Sequence, residues 1–269
     1  MMYLISNFAV PVFAFDISEI KSRYQENQWW LGKNLTEGDY FIYEVCNSES
    51  FTKSTLSGHC YDISLEFVSL LQTGTGGAWI VQVQIVTDEG EKIYAIFQID
   101  ERTFDVTTYD RTAIEYADSV QETIFYMKDF ADPQTKKHLK IGNSWGAVES
   151  YVTPDPQMTV REKTNTVMFD EQVSVYDVGF VILEQTSVLI SKEIPFPVDA
   201  TVYDPHRIVP TTPTLFTFEL LEHHNVNSDV YEIDIFDDDT LDTIRQESLE
   251  FDLQHIIDDI EYEFGDAGQ

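Results

Sequence analysis

Residues 60–99 alternate between apolar and polar side chains, and this pattern constrains the fold more than any other feature of the chain. In residues 61–67 the odd-numbered positions are apolar and the even-numbered positions are polar. The apolar residues are Tyr61, Ile63, Leu65 and Phe67, and the polar residues are Asp62, Ser64 and Glu66. Successive side chains of a β-strand point to opposite faces, so the run predicts a strand with one apolar face. The alternation recurs in 79–85 and 93–99, after short links that contain glycine. Strands joined by such short links pair as antiparallel neighbours.

A sheet with one apolar face needs a cover, and the chain offers one helix for that purpose. With 39–46 in front, the first half is predicted to be a meander of at least four strands. Asp118 or Ser119 can cap a helix that runs to about residue 130, where Asp132 and Pro133 stop it. Its apolar stripe consists of Val120, Ile124, Met127 and nearby Phe130. We expect this helix to pack into the concave side of the sheet.

Extended segments resume in the second half of the chain. Those predicted are 172–176, 178–183, 187–191, 197–203, 214–221 and 230–236. Phe196 lies between Pro195 and Pro197, which places it on an edge or a bend because proline cannot donate to a strand ladder. The predicted fold is therefore mainly β (α+β), with a curved antiparallel meander sheet covering one central helix.

The C-terminal part of the chain has a different composition. Residues 229–266 contain fifteen acids and one base, Arg245. Six apolar residues nevertheless recur at helical spacing, namely Leu249, Leu253, Ile256, Ile257, Ile260 and Phe264. The segment is predicted to be an acidic amphipathic helix that packs on the domain or docks a partner protein. The predicted organisation is a signal-peptide remnant at 1–14, a single β-rich domain at 15–225 and an acidic strand-plus-helix extension at 226–269.

The charge of the chain limits its partners. Forty-eight acids against sixteen bases give a formal net charge of −32. Such a surface repels phosphate, which argues against nucleic acid and anionic lipid as partners. The acids indicate a solvated surface, or alternatively one that collects divalent cations weakly. Asp234, Asp237 and Asp239 could gather calcium ligands there, although the segment lacks the glycine and glutamate spacing of an EF-hand loop. No cofactor is indicated.

The first fourteen residues resemble the end of a signal peptide. They are apolar apart from Ser6 and Asn7, and they end in Val12-Phe13-Ala14, a pattern that a signal peptidase can cut. The alternative is a buried first strand. No later segment reaches the ~18 apolar residues of a membrane span. Export to an extracytoplasmic location, secreted or at the cell surface, is the expected localisation.

Two further features of the sequence are expected to be used only if the protein is exported to an oxidising compartment. Cys46 and Cys60 lie near the base of a predicted hairpin on the polar parity of their strands, where they can form a disulfide. Asn34 begins the sequon Asn34-Leu35-Thr36 and is a candidate glycosylation site. Trp29 and Trp30 are expected to cover the core rather than bind a sugar, because most aromatic surface goes to burial.

One motif raises the alternative of a serine hydrolase. Residues 142–146 read Gly-Asn-Ser-Trp-Gly and match the G-x-S-x-G elbow, which would make Ser144 the nucleophile. The elbow needs a strand before the serine and a helix after it, on a parallel sheet. The following Ala-Val-Glu-Ser-Tyr-Val reads as strand or loop, and the sheet reads as antiparallel. A turn with Trp145 packed inward is the expected structure.

Several of these segments together resemble exported proteins of unknown function from ammonia-oxidising archaea. The segments are 38–46 with Cys60, 141–146, and 194–200 with 216–221, and the resemblance spans about residues 30–222. The resemblance implies an extracytoplasmic location and a single domain, and it implies no particular activity. The layout is also similar to exported half-barrels, including LolA-like lipoprotein carriers, which hold apolar ligands on a concave sheet face.

The resulting expectation is a non-enzymatic extracytoplasmic or cell-surface protein that binds an unidentified ligand or a surface protein. An apolar ligand is expected in a pocket between the concave face and the helix at 119–130. The two alternatives are the hydrolase using Ser144 and the weak divalent-cation binder.

Overall fold

A computed structural model describes residues 28–51, 54–73, 76–130, 137–145, 157–169, 171–180, 185–204 and 214–225. The predicted signal-peptide remnant, the strand at 230–236 and the acidic helix lie outside these residues, as do Asp234, Asp237 and Asp239.

The described residues form thirteen strands and two short helical segments. In chain order the strands are β1 (Gln28–Trp29), β2 (Asp39–Asn47), β3 (Cys60–Thr73), β4 (Gly76–Thr87), β5 (Lys92–Asp100), β6 (Val106–Thr108), β7 (Lys137–His138), β8 (Ser144–Trp145), β9 (Met158–Met168), β10 (Glu171–Phe180), β11 (Ser187–Ser191), β12 (Asp199–Tyr203) and β13 (Thr214–Asn225). Helix α1 (Ile114–Glu122) and a 3₁₀ helix (Tyr126–Phe130) lie between β6 and β7.

Eleven strands form one open antiparallel sheet in the order β6-β5-β4-β3-β2-β13-β12-β11-β10-β9-β8. Each half of the chain is a meander, and the pairing of β2 with β13 joins the two halves. β1 and β7 pair separately as a two-stranded sheet. The predicted mainly β fold with an antiparallel meander is confirmed.

The predicted one-sided burial of the sheet is also confirmed. Phe41, Leu65 and Val83 are register neighbours across β2, β3 and β4, and all three are fully buried. Glu44 and Asp62 are paired on the opposite parity and are exposed. One face therefore carries the apolar core, and we call it the buried face. The other, the exposed face, is largely polar.

Helix α1 begins four residues before the predicted cap. Asp110 starts the segment by accepting from the Thr112 amide (2.8 Å), and the helix begins at Ile114. Ser119, which was predicted as a cap, lies inside the helix. Its Oγ accepts from Asn47 Nδ2 and from the Tyr61 hydroxyl, both at 2.9 Å. These contacts fix the helix on the sheet through a buried polar group, which apolar spacing alone does not reveal.

The second half also departs from the predicted strands. Segments 172–176 and 178–183 are one strand up to residue 180, since β10 continues through a register shift between Asp177 and Val178. β9 was not predicted. Only its first residues, Met158 and Val160, are buried in alternation, and residues 161–166 are polar and largely exposed. Its apolar signal is therefore too short to distinguish it from a loop.

Residues 194–197 fold as a bend onto the buried face and carry Phe196 into the core. The Phe196 ring is fully buried, with centroids 5.1 Å from Phe41 and 5.0 Å from Phe125. Trp29 Nε1 donates to the Ile194 carbonyl at 3.3 Å, and the Tyr43 hydroxyl donates to the Pro197 carbonyl at 2.9 Å. Of the two predicted places for this segment, the bend is correct. The bend supplies part of the cover that the sheet requires.

The predicted disulfide joins Cys46 to Cys60. The two residues are register partners in β2 and β3, and their side chains lie on the polar parity, as predicted. The bridge closes the base of the hairpin that leads into the most deeply buried strands.

Replacing Cys46 and Cys60 together by serine should lower the free energy of unfolding by about 3 kcal/mol, because the unfolded chain loses a constraint across fourteen residues. Urea unfolding of the wild type and the double variant measures this difference. Dithiothreitol should destabilise the wild type and leave the variant unchanged. A wild type that is insensitive to complete reduction would contradict the prediction.

Candidate functional site

The space in which an apolar ligand was expected is filled by side chains. Phe41, Phe67, Phe125 and Phe196 lie between the sheet and the helical segments, and each is fully buried. The rings of Phe67 and Phe196 stack with centroids 5.5 Å apart. The centre of the buried face is thus packed core, and the candidate sites lie at its margins.

A cavity of about 290 Å³ lies at one margin of the buried face. We call it the aromatic cavity, and it is lined by Trp30, Leu31, Gly32, Leu35, Trp79, Glu101 and Phe104. Three parts of the chain meet there: the segment after β1, the start of β4, and the turn between β5 and β6. Its volume is at the low end of the range of about 300–1,000 Å³ that is common for ligand pockets.

The walls of the aromatic cavity are anchored in the core. Trp79 is 6% exposed, and its ring meets Phe67 edge-on at 5.7 Å. Phe104 is 3% exposed and packs edge-on against Phe125 at 5.4 Å. Side chains packed in this way hold their rotamers without a ligand, so the cavity is preformed.

Backbone conformation sets the position of Phe104. Its φ is 57°, in the left-handed region that a bulky residue rarely adopts. Gly32 faces its ring with a φ of 75°, and a Cβ at Gly32 would collide with the ring. The turn is fixed by Asp100 Oδ1, which accepts from the Arg102 and Thr103 amides at 2.8 Å. Strained backbone that is held in place by its surroundings is typical of functional sites.

Glu101 is the one ionisable residue among the described residues that line the aromatic cavity. Its amide donates to the Gly77 carbonyl at 2.9 Å, and its carboxylate lies over Gly77, where a Cβ would collide with it. The turn between β5 and β6 thus places one negative charge beside two indoles.

Lys33 lies close to the cavity but does not line it. Its Nζ donates to the carbonyls of Gln28 (2.8 Å) and Lys192 (3.3 Å), and it lies 5.7 Å from the centroid of the Trp30 ring. Burial lowers the pKa of Lys33, and the neighbouring Glu193 opposes this shift.

Sequence reasoning found only part of this site. The expectation that Trp29 and Trp30 cover the core is correct for Trp29, which is fully buried, whereas Trp30 lines the aromatic cavity. Trp79 was assigned only to a strand face. Glu101 and Phe104 were not singled out, because a left-handed phenylalanine has no sequence signature.

A second cavity, of about 300 Å³, lies between the tip of the β9–β10 hairpin and strands β11 to β13. Its apolar rim is open to solvent, since Val167 is 68% exposed and Leu221 is 46% exposed. Walls of this kind are less constrained than those of the aromatic cavity, so we regard the aromatic cavity as the stronger candidate.

The exposed face carries a row of four acids. Asp199, Glu219, Glu44 and Asp62 are successive register partners across β12, β13, β2 and β3. Like charges in directly opposed positions destabilise a sheet. Burial, together with the Glu219 carboxylate, raises the pKa of Asp199. Even so, the described residues contain no group of three or more His, Cys, Asp or Glu side chains that could hold a metal ion.

Ser144 lies in the edge strand β8, directly after a turn. Its Oγ shares a hydrogen bond of 2.7 Å with Thr159 Oγ1 on β9, and Trp145 is buried as expected. The surrounding pairings are antiparallel. In the part of the chain that the structure describes, Ser144 is therefore preceded by a turn and not by the strand that a nucleophile elbow requires.

Asn34, the remaining sequence candidate, and the two adjacent histidines of β13 do not line the aromatic cavity. Asn34 is exposed in a turn with a φ of 64°, so its side chain is accessible for glycosylation. His223 stacks on Phe41 at 4.6 Å, and burial lowers its pKa. His224 packs on Tyr40 at 4.8 Å, on the other parity of the strand. The two histidines thus do not converge.

Comparison with known proteins gives a limited likeness of shape. No protein-family profile and no curated protein matches the sequence. A predicted exported protein with a YmcC-like fold from Bacteroides fragilis is 6% identical, with a TM-score of 0.32 over 74% of this chain and 100% of that one. A predicted lipoprotein from Parabacteroides distasonis is 8% identical, with a TM-score of 0.32 over 74% of this chain and 99% of that one.

Within the residues that the structure describes, no helix has the length and apolar character needed to cross a bilayer.

Asp199→Asn should raise the free energy of unfolding at pH 7 by about 0.5 kcal/mol, because it removes a like-charge pair. The pKa of Asp199 is raised above 3.8 in the folded state, so its charged form costs stability as pH rises through that range. The gain should therefore vanish below about pH 4. Urea unfolding at pH 7 and at pH 3 measures both effects.

Glu44→Gln is the matched control: Glu44 lies in the same row between Glu219 and Asp62, but it is exposed, so water screens both of its like-charge contacts. It should give a smaller gain. A loss of stability for Asp199→Asn at pH 7 would contradict the prediction, because it would show that the Asp199 carboxylate stabilises the folded protein.

Proposed function

We propose that the protein is an extracytoplasmic binding protein that takes a small, largely apolar ligand in the aromatic cavity. The observation that carries this proposal is the preformed wall of Trp79 and Phe104, which are nearly fully buried and anchored in the core, yet line open space. Apolar pockets with a few polar groups are the usual form of small-molecule sites.

The compartment is supported by the disulfide. Cys46 and Cys60 are bonded, and disulfides persist mainly in oxidising surroundings outside the cytoplasm. The resemblance to exported archaeal proteins and the apolar stretch that ends at Ala14 imply the same location.

Binding accounts for the cavity better than catalysis does. Nucleophilic catalysis usually pairs a nucleophile with a neighbouring base that activates it. Within the described part of the chain, the lining of the aromatic cavity provides a single ionisable side chain, Glu101, among apolar and aromatic residues. The volume of about 290 Å³ suits a small molecule, whereas the packed centre of the buried face leaves no comparable room for a long acyl chain there.

Leu35→Phe should lower the affinity of the protein for 1-hexanol at least about tenfold, because the larger ring fills the aromatic cavity. Isothermal titration calorimetry measures binding to the wild type and to the variant. Thermal unfolding of both proteins establishes that the variant is folded.

Leu221→Phe is the matched control, because the same change is made at the second cavity. It should leave hexanol binding unchanged. Loss of binding in Leu221→Phe but not in Leu35→Phe would assign the ligand to the second cavity. No saturable binding to the wild type would overturn the proposed function.

A further inference from the structure

We infer that the ligand of the aromatic cavity is a monovalent organic cation, an ammonium group attached to a small apolar body. This inference rests on the proposed function and specifies its ligand class. The apolar body would occupy the space between Trp79, Leu35 and Phe104, and the cationic head would meet Glu101.

The Glu101 carboxylate can accept hydrogen bonds from a ligand. Among the described residues, none donates a hydrogen bond or an ion pair to it, although its own amide is bonded to Gly77. Other acids nearby are engaged: Asp100 accepts two backbone amides, and Asp105 pairs with Lys128 at 2.5 Å. Within its turn, Glu101 is thus the carboxylate left for an external partner.

The charge in the cavity selects among ligand classes. Glu101 supplies the only formal charge among the lining residues that the structure describes. An anionic ligand would be repelled by it, and a neutral ligand would partly desolvate the carboxylate without compensating it. An ammonium group instead replaces the lost water with a charge-assisted hydrogen bond.

The aromatic walls favour the same class. A cation is attracted to the face of an indole, and this attraction grows when the cation is shielded from water. Lys33 Nζ already lies 5.7 Å from the Trp30 ring centroid, yet two backbone carbonyls hold this ammonium group outside the lining. Trp30 thus already has a cationic partner outside the lining, and Trp79 is the indole that an ammonium group in the cavity would meet.

The net charge of the chain adds long-range attraction. At −32, the field of the protein concentrates small cations at its surface and speeds their association. A metal ion is a poor alternative occupant, because one carboxylate is too few ligands and the described residues show no cluster of three metal-ligating side chains.

Three probes with the same six-carbon chain test the inference: hexylammonium, 1-hexanol and hexanoate. Calorimetry at 150 mM salt should show hexylammonium binding at least about tenfold more tightly than hexanol, with hexanoate the weakest. Glu101→Gln keeps the size of the side chain. It should remove the advantage of hexylammonium and leave hexanol affinity within about twofold.

Glu44→Gln is the matched control, since it removes the same charge from the exposed face. It should change hexylammonium affinity less than about twofold, because exposed charges at a distance are screened at this salt concentration. Equal losses in Glu101→Gln and Glu44→Gln would attribute the preference to the overall field and overturn the inference.

The failures of the two proposals are distinguishable. If hexanol and hexylammonium bind equally and Leu35→Phe weakens both, the site is real but the inferred ligand class is wrong. If none of the probes binds saturably, the proposed function fails as well.

Discussion

The burial of one face of a long, open antiparallel sheet is the constraint on which the rest of this structure depends. Eight neighbouring strands, β2 to β5 and β10 to β13, present a continuous apolar surface, and an open sheet cannot close on itself to hide it. Helix α1 covers only part of this surface. The bend at 194–197 supplies another part by placing Phe196 against Phe41 and Phe67. The helix and the bend together cover the apolar surface. This division determines where the helix lies, how the chain runs and where the cavity forms.

Among the described residues, the aromatic cavity is a margin where that cover is incomplete. Gly32 is tied to the 194–197 bend by a hydrogen bond to the Pro195 carbonyl (2.9 Å), and it faces the ring of Phe104. The same packing that seals the centre therefore fixes two walls of the margin. A cavity built in this way is rigid, so the specificity of the proposed binding site would depend on the few polar groups at its rim, of which the described lining provides Glu101.

The sequence revealed what is local and periodic. Strict alternation identified β2 to β5, their pairing and their buried face, and the positions of Cys46 and Cys60 on the polar parity indicated the disulfide. It did not reveal contacts between distant segments. Ser119 reads as a helix cap until its bonds to Asn47 and Tyr61 are known. The aromatic cavity likewise combines residues from three separate parts of the chain, and no local pattern marks that meeting point.

The most direct test of this account is the free energy of unfolding of Phe196→Ala, compared with Phe169→Ala at the exposed tip of the β9–β10 hairpin. If Phe196 closes the buried face, its truncation should cost about 3–5 kcal/mol in urea unfolding. Phe169 is 41% exposed, and its truncation should change stability by no more than about 0.5 kcal/mol. A Phe196→Ala variant that is no less stable than Phe169→Ala would contradict the account.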